Sequence, residues 1–446
     1  MEKSARKSTY ELNERPPVGP GLALGLQHVL TMFSGNIAVS LIICGALGMD
    51  LKTTAFMLQC SMFAAGVTTI VQSWGVGPVG AKLPIMMGSS FTFLGASISI
   101  GLNPDLGLSA LFGAFLIGGI LEAVLGPVLI KLFKRYFTPI VTGSVVLAIG
   151  LSLLGIGLQY SAGGDGAADY GSLANLGVAL FTLVVAIVLN HFGKGFLKAA
   201  SVFIAMIVGF ILAVILGFVD FSSVGDAAWF ALPTPFKFGL SFKAGAIVPV
   251  LFLFLVSMLE FIGDTTGVAI NAADRPATNT ELTHGILCDG LGSSFSAVFN
   301  CTPNVSFSQN TGLIGLTGVK SRYVVTFGGI ILVVLSFVPK VSQIVALLPS
   351  AVLGGVSIIM FGMIAVSGMK VILLQKLTPR NCLILSVALG VGMGLSMQPD
   401  AIAALPSIAQ TLLSGVAGTA LIALLLNIIL PKKPEDSEIA DEAKEE

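Results

Sequence analysis

Apolar residues run along this chain in long blocks, with none of the one-sided striping of a soluble fold. Residues 53–81, 83–104, 136–164, 341–369 and 401–431 contain no Asp, Glu, Lys or Arg. Each block is at least as long as the roughly 20 residues that a helix needs to cross the hydrocarbon layer of a membrane. Read end to end, the pattern predicts about fourteen spans: 19–47, 53–73, 82–101, 108–130, 138–158, 174–192, 199–218, 246–267, 280–299, 303–318, 321–338, 342–366, 380–398 and 403–430. The predicted fold class is an all-α polytopic membrane protein.

Two spans depart from the pattern. Pro84-Ile-Met-Met-Gly-Ser-Ser-Phe-Thr-Phe93 falls in the third, and Pro303-Asn-Val-Ser-Phe-Ser-Gln-Asn-Thr-Gly312 in the tenth. Both follow a proline and continue through Ser, Phe and small polar residues that suit extended backbone. The third and tenth spans are equivalent positions in two seven-span halves. Interrupted spans at matching places point to two inverted repeats with a binding site near the membrane midplane.

Composition sharpens this picture. The chain has 446 residues, 55% hydrophobic and 10% charged, with a mean hydropathy of +0.95; a soluble domain carries roughly 25% charged residues. If the N-terminus is inside, the tails and even-numbered connections hold all but Lys52, Lys237, Lys243 and Lys340 of the 23 Lys and Arg residues. Lys131, Lys134, Arg135, Lys198, Lys320, Arg322 and Lys370 are among them, which predicts two cytoplasmic ends. The polar tail 1–18 lacks a cleavage site before an apolar core, so no signal peptide is expected. The acidic tail 432–446 is expected to be unstructured. The five cysteines are scattered, form no C-x-x-C, and read as packing residues. Nothing points to nucleic acid.

A charged group inside a span is expensive, so each one carries a functional expectation. Glu260 and Asp264 stand four apart in the eighth span, on one helical face. Asp289 lies in the ninth span and His28, after Gln27, in the first. No Lys or Arg shares these spans. Either a ligand N–H pairs with a carboxylate, or an acid holds a proton, and both suit proton-coupled transport. Glu122, in the fourth span, is expected to pair or to snorkel.

Gln309-Asn310-Thr-Gly312-Leu-Ile-Gly-Leu-Thr317-Gly318 resembles the signature of the nucleobase–ascorbate transporter family at every fixed position. Gln27-His28, Glu260-Phe-Ile-Gly-Asp264 and Asp289 resemble that family's first-, eighth- and ninth-span motifs, in the same order over nearly the whole chain. The resemblance implies fourteen spans in two inverted seven-span repeats, divided into core and gate domains, in a homodimer that moves like an elevator. The boundaries expected are a core from 19–130 and 246–340 and a gate from 131–245 and 341–431. It implies a substrate site of Glu260, Gln309, Ser90, Phe91 and Phe307, with Asp264, Asp289, His28 and Asn310 in coupling or support. Asn310 is expected to tie the two half-spans together.

The chemistry agrees with the resemblance. Xanthine and uracil share an imide face of alternating N–H donors and C=O acceptors. Glu260 can accept from a ring N–H, the Gln309 amide can donate and accept, and aromatic rings near Phe91 and Phe307 can stack on a flat base. Gln309 and Gly318 resemble the xanthine and urate branch rather than the uracil branch, which carries Glu and Arg there. Ser90 stands where xanthine-selective members carry Asn, which leaves room for the C8 oxygen of urate. The expected activity is proton symport of xanthine or urate into the cell across the plasma membrane, a bacterial inner membrane. Protons are the coupling ion, with no cofactor and no metal; lipid surrounds the protein.

Other classes fare worse. An intramembrane enzyme would need a nucleophile–base pair or a metal cluster, and the chain has no G-x-S-x-G, no H-E-x-x-H and only three His. A channel needs no buried acids beside broken spans. A same-fold carrier of inorganic anions would favour a cation at Glu260, and a uracil carrier of the same family remains the alternative substrate reading. Gly75-Val-Gly-Pro-Val-Gly80 follows no predicted strand and is not read as a dinucleotide site.

Overall fold

The structure, a computed structural model, describes residues 10–437 apart from 134, 135, 137 and 226. Lys3, Arg6, Lys7, Lys134, Arg135 and most of the acidic tail lie outside the described residues. The chain begins with α1 (Val18–Ala46), α2 (Leu51–Trp74), strand β1 (Met87–Ser89), α3 (Leu94–Leu102) and α4 (Gly107–Phe133). Next come α5 (Pro139–Ser161), α6 (Leu173–Phe192), α7 (Phe196–Ala199) and α8 (Ser201–Ile215). Then follow α9 (Ala244–Ala273), α10 (Asn279–Val298), strand β2 (Asn304–Ser306), α11 (Ser308–Thr317) and α12 (Arg322–Ser336). The chain closes with α13 (Pro339–Ala346), α14 (Ser350–Ile372), α15 (Pro379–Met397), α16 (Ser407–Leu413) and α17 (Gly415–Ile429).

Local chemistry sets the ends of these helices. Asp50 caps α2 by accepting from the Thr53 N–H at 3.0 Å. Thr278 and Glu281 form a capping box at the start of α10, and Arg275 pairs with Glu281 at 2.7 Å. Gly318 ends α11 with φ +71°, a left-handed cap that glycine adopts without strain.

The helices pack in two groups. In one, α4 lies along α10 and α2 along α12, with α1 packed on α12 and α2, and α9 on α4 and α10. In the other, α5 lies along α14, α15 along α17, and α6 and α8 close the side. Among the described residues, eight helices are long and apolar enough to cross a membrane, and the α12–α13 pair is bent by 86°. The molecule is therefore an all-helical, multi-pass membrane protein.

Two predicted spans are divided. The run 342–366 contains the end of α13, a break, and most of α14; Pro349, the N-cap of α14, disfavours helix in the residue before it. The run 403–430 divides at Ser414, whose extended backbone precedes Gly415 at φ +61°. Hydropathy alone is blind to both breaks because the flanking residues stay apolar.

The third and tenth spans are half strand, half helix, and their strands pair antiparallel. Met87 faces Ser306, Gly88 faces Val305 and Ser89 faces Asn304. Main-chain bonds from Phe307 N–H to the Met86 carbonyl and from Ser90 N–H to the Pro303 carbonyl, each 2.9 Å, extend the ladder. A two-stranded ribbon leaves outer edges, and bare backbone groups are costly where water is absent. Side chains cover them. Ser89 N–H donates to Asn36 Oδ1 at 2.8 Å and Met87 N–H to Thr69 Oγ1 at 2.9 Å, while Asn304 N–H donates to Ser293 Oγ at 3.1 Å.

Candidate functional site

The strand pair crosses in front of α9, and the two acids of that helix reach one broken span each. Thr92 Oγ1 donates to Glu260 Oε2 at 3.0 Å. One turn further along, Ser306 Oγ donates to Asp264 Oδ2 at 2.8 Å. Both acids are half-buried, and among the described residues these hydroxyls are their hydrogen-bond partners. The spacing of four residues thus becomes a bracket across both interruptions. Sequence reasoning found the acids but missed Thr92 and Ser306 as their partners. Both lie within the two unusual segments, which was the available signal.

Two cavities approach this junction. One, of about 460 Å³, ends at Phe307, Ser308 and Gln309, faces Met360 and Ile364 of α14, and reaches Lys198 and Lys370. The other, of about 720 Å³, ends at Phe91 and Thr92, faces Leu153 of α5 and Leu253 of α9, and reaches Asn103 and Asp105. Volumes of this size accommodate small ligands. Phe91, in a 3-10 turn over Phe91–Phe93, packs edge-on against Phe361 of α14 with ring centres 5.4 Å apart. That contact joins the two helix groups beside both cavities.

Phe307 is held by missing side chains. A Cβ on Gly35 of α1 or on Gly88 of β1 would lie 2.6 Å from its ring, so both glycines are needed for the ring to rest where it does. Ser90 is fully buried and accepts from the Thr92 N–H at 3.2 Å, capping the turn that carries Phe91 and Thr92. It lines neither cavity.

The remaining predicted residues divide between this junction and its supports. The Asn310 amide donates to the His28 carbonyl at 3.0 Å and faces His28 Nδ1 at 3.1 Å. The expected tie between half-spans is therefore a tie from α11 to α1. Its polar atoms sit beside a histidine on a long helix, whereas the strands are joined by their own backbone. His28 is 2% exposed. Asp289 of α10 is fully buried away from both cavities, and the carboxyl of Glu122 on α4 lies beside it. No cluster of His, Cys, Asp or Glu suited to a metal occurs among the described residues.

Long apolar helices, two paired short strands and acids at their junction make the molecule a multi-pass membrane protein with a polar centre inside it. A family profile described as the Permease family matches residues 21–401. The chain is 34% identical to Uric acid transporter UacT of Escherichia coli, covering 95% of this chain and 88% of that protein. It is 37% identical to Xanthine permease XanP of the same species, covering 96% and 95%. The chain belongs to the nucleobase–ascorbate transporter family. Its fold is also that of the transmembrane domain of the cyanobacterial bicarbonate transporter BicA, with a TM-score of 0.61 at 15% identity over 93% of this chain and 99% of that one.

Proposed function

We propose that this protein imports an oxidised purine, xanthine or urate, together with protons across a bacterial inner membrane. The observation that carries the reading is the α9 bracket, in which Glu260 meets the third span through Thr92 and Asp264 meets the tenth through Ser306. A base held there gives a ring N–H to Glu260 and turns its imide edge to the Gln309 amide. The N-terminal ends of α3 and α11 carry the positive ends of their helix dipoles, which suit the carbonyls of a base, and Phe91 and Phe307 flank the ring. The printed names of the relatives, a uric acid transporter and a xanthine permease, favour purines over pyrimidines.

In this reading the chain has fourteen spans in two inverted repeats. Residues 19–130 and 246–340 form a core domain, and 131–245 and 341–431 a gate domain, which agrees with the two packing groups. Both ends are cytoplasmic, so the cavity at Lys198 and Lys370 opens inward and the one at Asn103 and Asp105 outward. The core moves against the gate within a homodimer, and the Phe91–Phe361 contact is remade at each passage. Asp264, Asp289, His28 and Asn310 support the site or carry the coupling proton, and no cofactor takes part.

One proton per neutral base is worth about 2.3 kcal/mol at 100 mV, or roughly fifty-fold accumulation. Uptake of labelled xanthine, urate and uracil, measured in cells without their own carriers, tests the reading. Purine uptake is expected to collapse with a protonophore and to survive removal of sodium. Full uptake without a proton gradient contradicts the coupling, and preference for uracil contradicts the substrate.

A further inference from the structure

We propose that Glu122 and Asp289 together form a proton-binding site between α4 and α10, a second acid centre distinct from the α9 pair. The two helices touch through their backbones there. A Cβ on Gly290 would lie 2.4 Å from the Ala123 nitrogen and 2.6 Å from the Gly119 carbonyl, and one on Gly119 would lie 2.6 Å from the Gly290 carbonyl. Glu122 and Asp289, next to Ala123 and Gly290, are brought face to face by that contact, with carboxyls within hydrogen-bonding reach.

Nothing else satisfies them. Asp289 is 0% and Glu122 6% exposed, and among the described residues all four carboxyl oxygens lack a hydrogen-bond donor. Among the described residues, no Lys, Arg or His acts on the two carboxyls. Helix α9 carries Glu260 and Asp264, α10 adds Cys288, and α2 meets α10 at Thr68, remote from Lys52 in its first turn. Two buried like charges at contact repel strongly, and a single proton turns the repulsion into a hydrogen bond. The site therefore takes one proton, shared between the two acids, without any other ligand.

The pair is placed to be felt at the strands. Ser293, one helical turn beyond Asp289, accepts from the Asn304 N–H, and Asn304 Nδ2 donates to Thr68 Oγ1 at 2.8 Å. Loss of the shared proton pushes α4 from α10, and α10 braces the strand that leads into Phe307 and α11, which carries Gln309. The coupling role rests on the proposed proton symport; the existence of the site does not.

Two measurements on purified full-length protein decide the matter. The first is the infrared spectrum of wild type, Glu122→Gln, and Glu122→Gln with Asp289→Asn, with folding checked by thermal melting. Wild type minus either variant is expected to show one protonated-carboxyl stretch at neutral pH that shifts in D2O. In the single variant Asp289 stays buried without a cation and keeps a proton, so its band shifts to the frequency of an amide-bonded acid and is lost altogether only in the double variant. No band in either difference overturns the site. The second measurement compares proton-driven purine accumulation with purine–purine exchange in liposomes. For Glu122→Gln, accumulation is expected to fall by about ten-fold or more, on the scale of one proton's roughly fifty-fold contribution, while exchange continues. Accumulation at the wild-type level overturns the coupling role. A wild type that accumulates nothing on a proton gradient instead contradicts the proposed symport, and the infrared result still decides the site.

Discussion

Glu260 and Asp264 each accept a hydrogen bond from a hydroxyl of a broken span, whereas Glu122 and Asp289 meet each other and no donor. The first pair is half-buried and lines neither cavity itself, although Thr92, the partner of Glu260, lines one; the second is sealed between helices held together by glycines. A carboxyl with one weak neutral partner and spare lone pairs is ready for a ligand N–H. A carboxyl pair without donors is ready only for a proton. Burial of an acid therefore does not define its task; the donors around it do.

The comparison can be broken at the strands. Gly88→Ala places a Cβ 2.6 Å from the Phe307 ring, 2.7 Å from Met32 Cε and 2.9 Å from Asn36 Oδ1. Overpacking of this kind costs about 1–3 kcal/mol, so a lower melting temperature and a loss of purine uptake are expected. The α4–α10 contact is untouched, and an unchanged infrared carboxyl band is the check that the two centres are separate.

A smaller effect is expected from Thr92→Val, which keeps shape but removes the donor to Glu260. A hydrogen bond of this type is worth about 1 kcal/mol, or roughly five-fold in purine affinity, and Thr92→Ser is expected to restore it. Equal behaviour of the Val and Ser variants contradicts a role for the hydroxyl. The smallest effect belongs to Ser90→Asn. Asn can also cap the 3-10 turn, so folding is retained, and the change is expected in the ratio of urate to xanthine competition through a displaced Thr92. An unchanged ratio removes Ser90 from selectivity.

Much of this was legible in the chain. Uncharged runs gave the helices, and the two Pro-, Ser- and Phe-rich segments announced the strands before any register was known. The acids were visible as charges without cations. What stayed hidden depended on distance in three dimensions. Pro349 and Ser414-Gly415 interrupt runs whose hydropathy never falls, so length outweighed punctuation. Thr92 rather than Ser90 faces Glu260 because a strand gives way to a 3-10 turn between Ser89 and Phe91, which ends the two-residue alternation that sequence reading relies on. Asn310 reaches α1 rather than β1, and no spacing along the chain encodes that choice. Glu122 gained a partner only when Gly119 and Gly290 brought two distant helices into contact.

The division of labour between the two acid pairs is tested most directly by calorimetric titration of xanthine and urate into purified Glu260→Gln and Glu122→Gln proteins. In Glu260→Gln, one acceptor oxygen becomes a donor that faces a ring N–H, a mismatch of about 1–3 kcal/mol. Purine affinity is expected to fall by about ten-fold or more in that protein and to stay near wild type in Glu122→Gln. Unchanged affinity in Glu260→Gln, or an equal fall in both, would contradict the assignment of the α9 pair to the base and the α4–α10 pair to the proton.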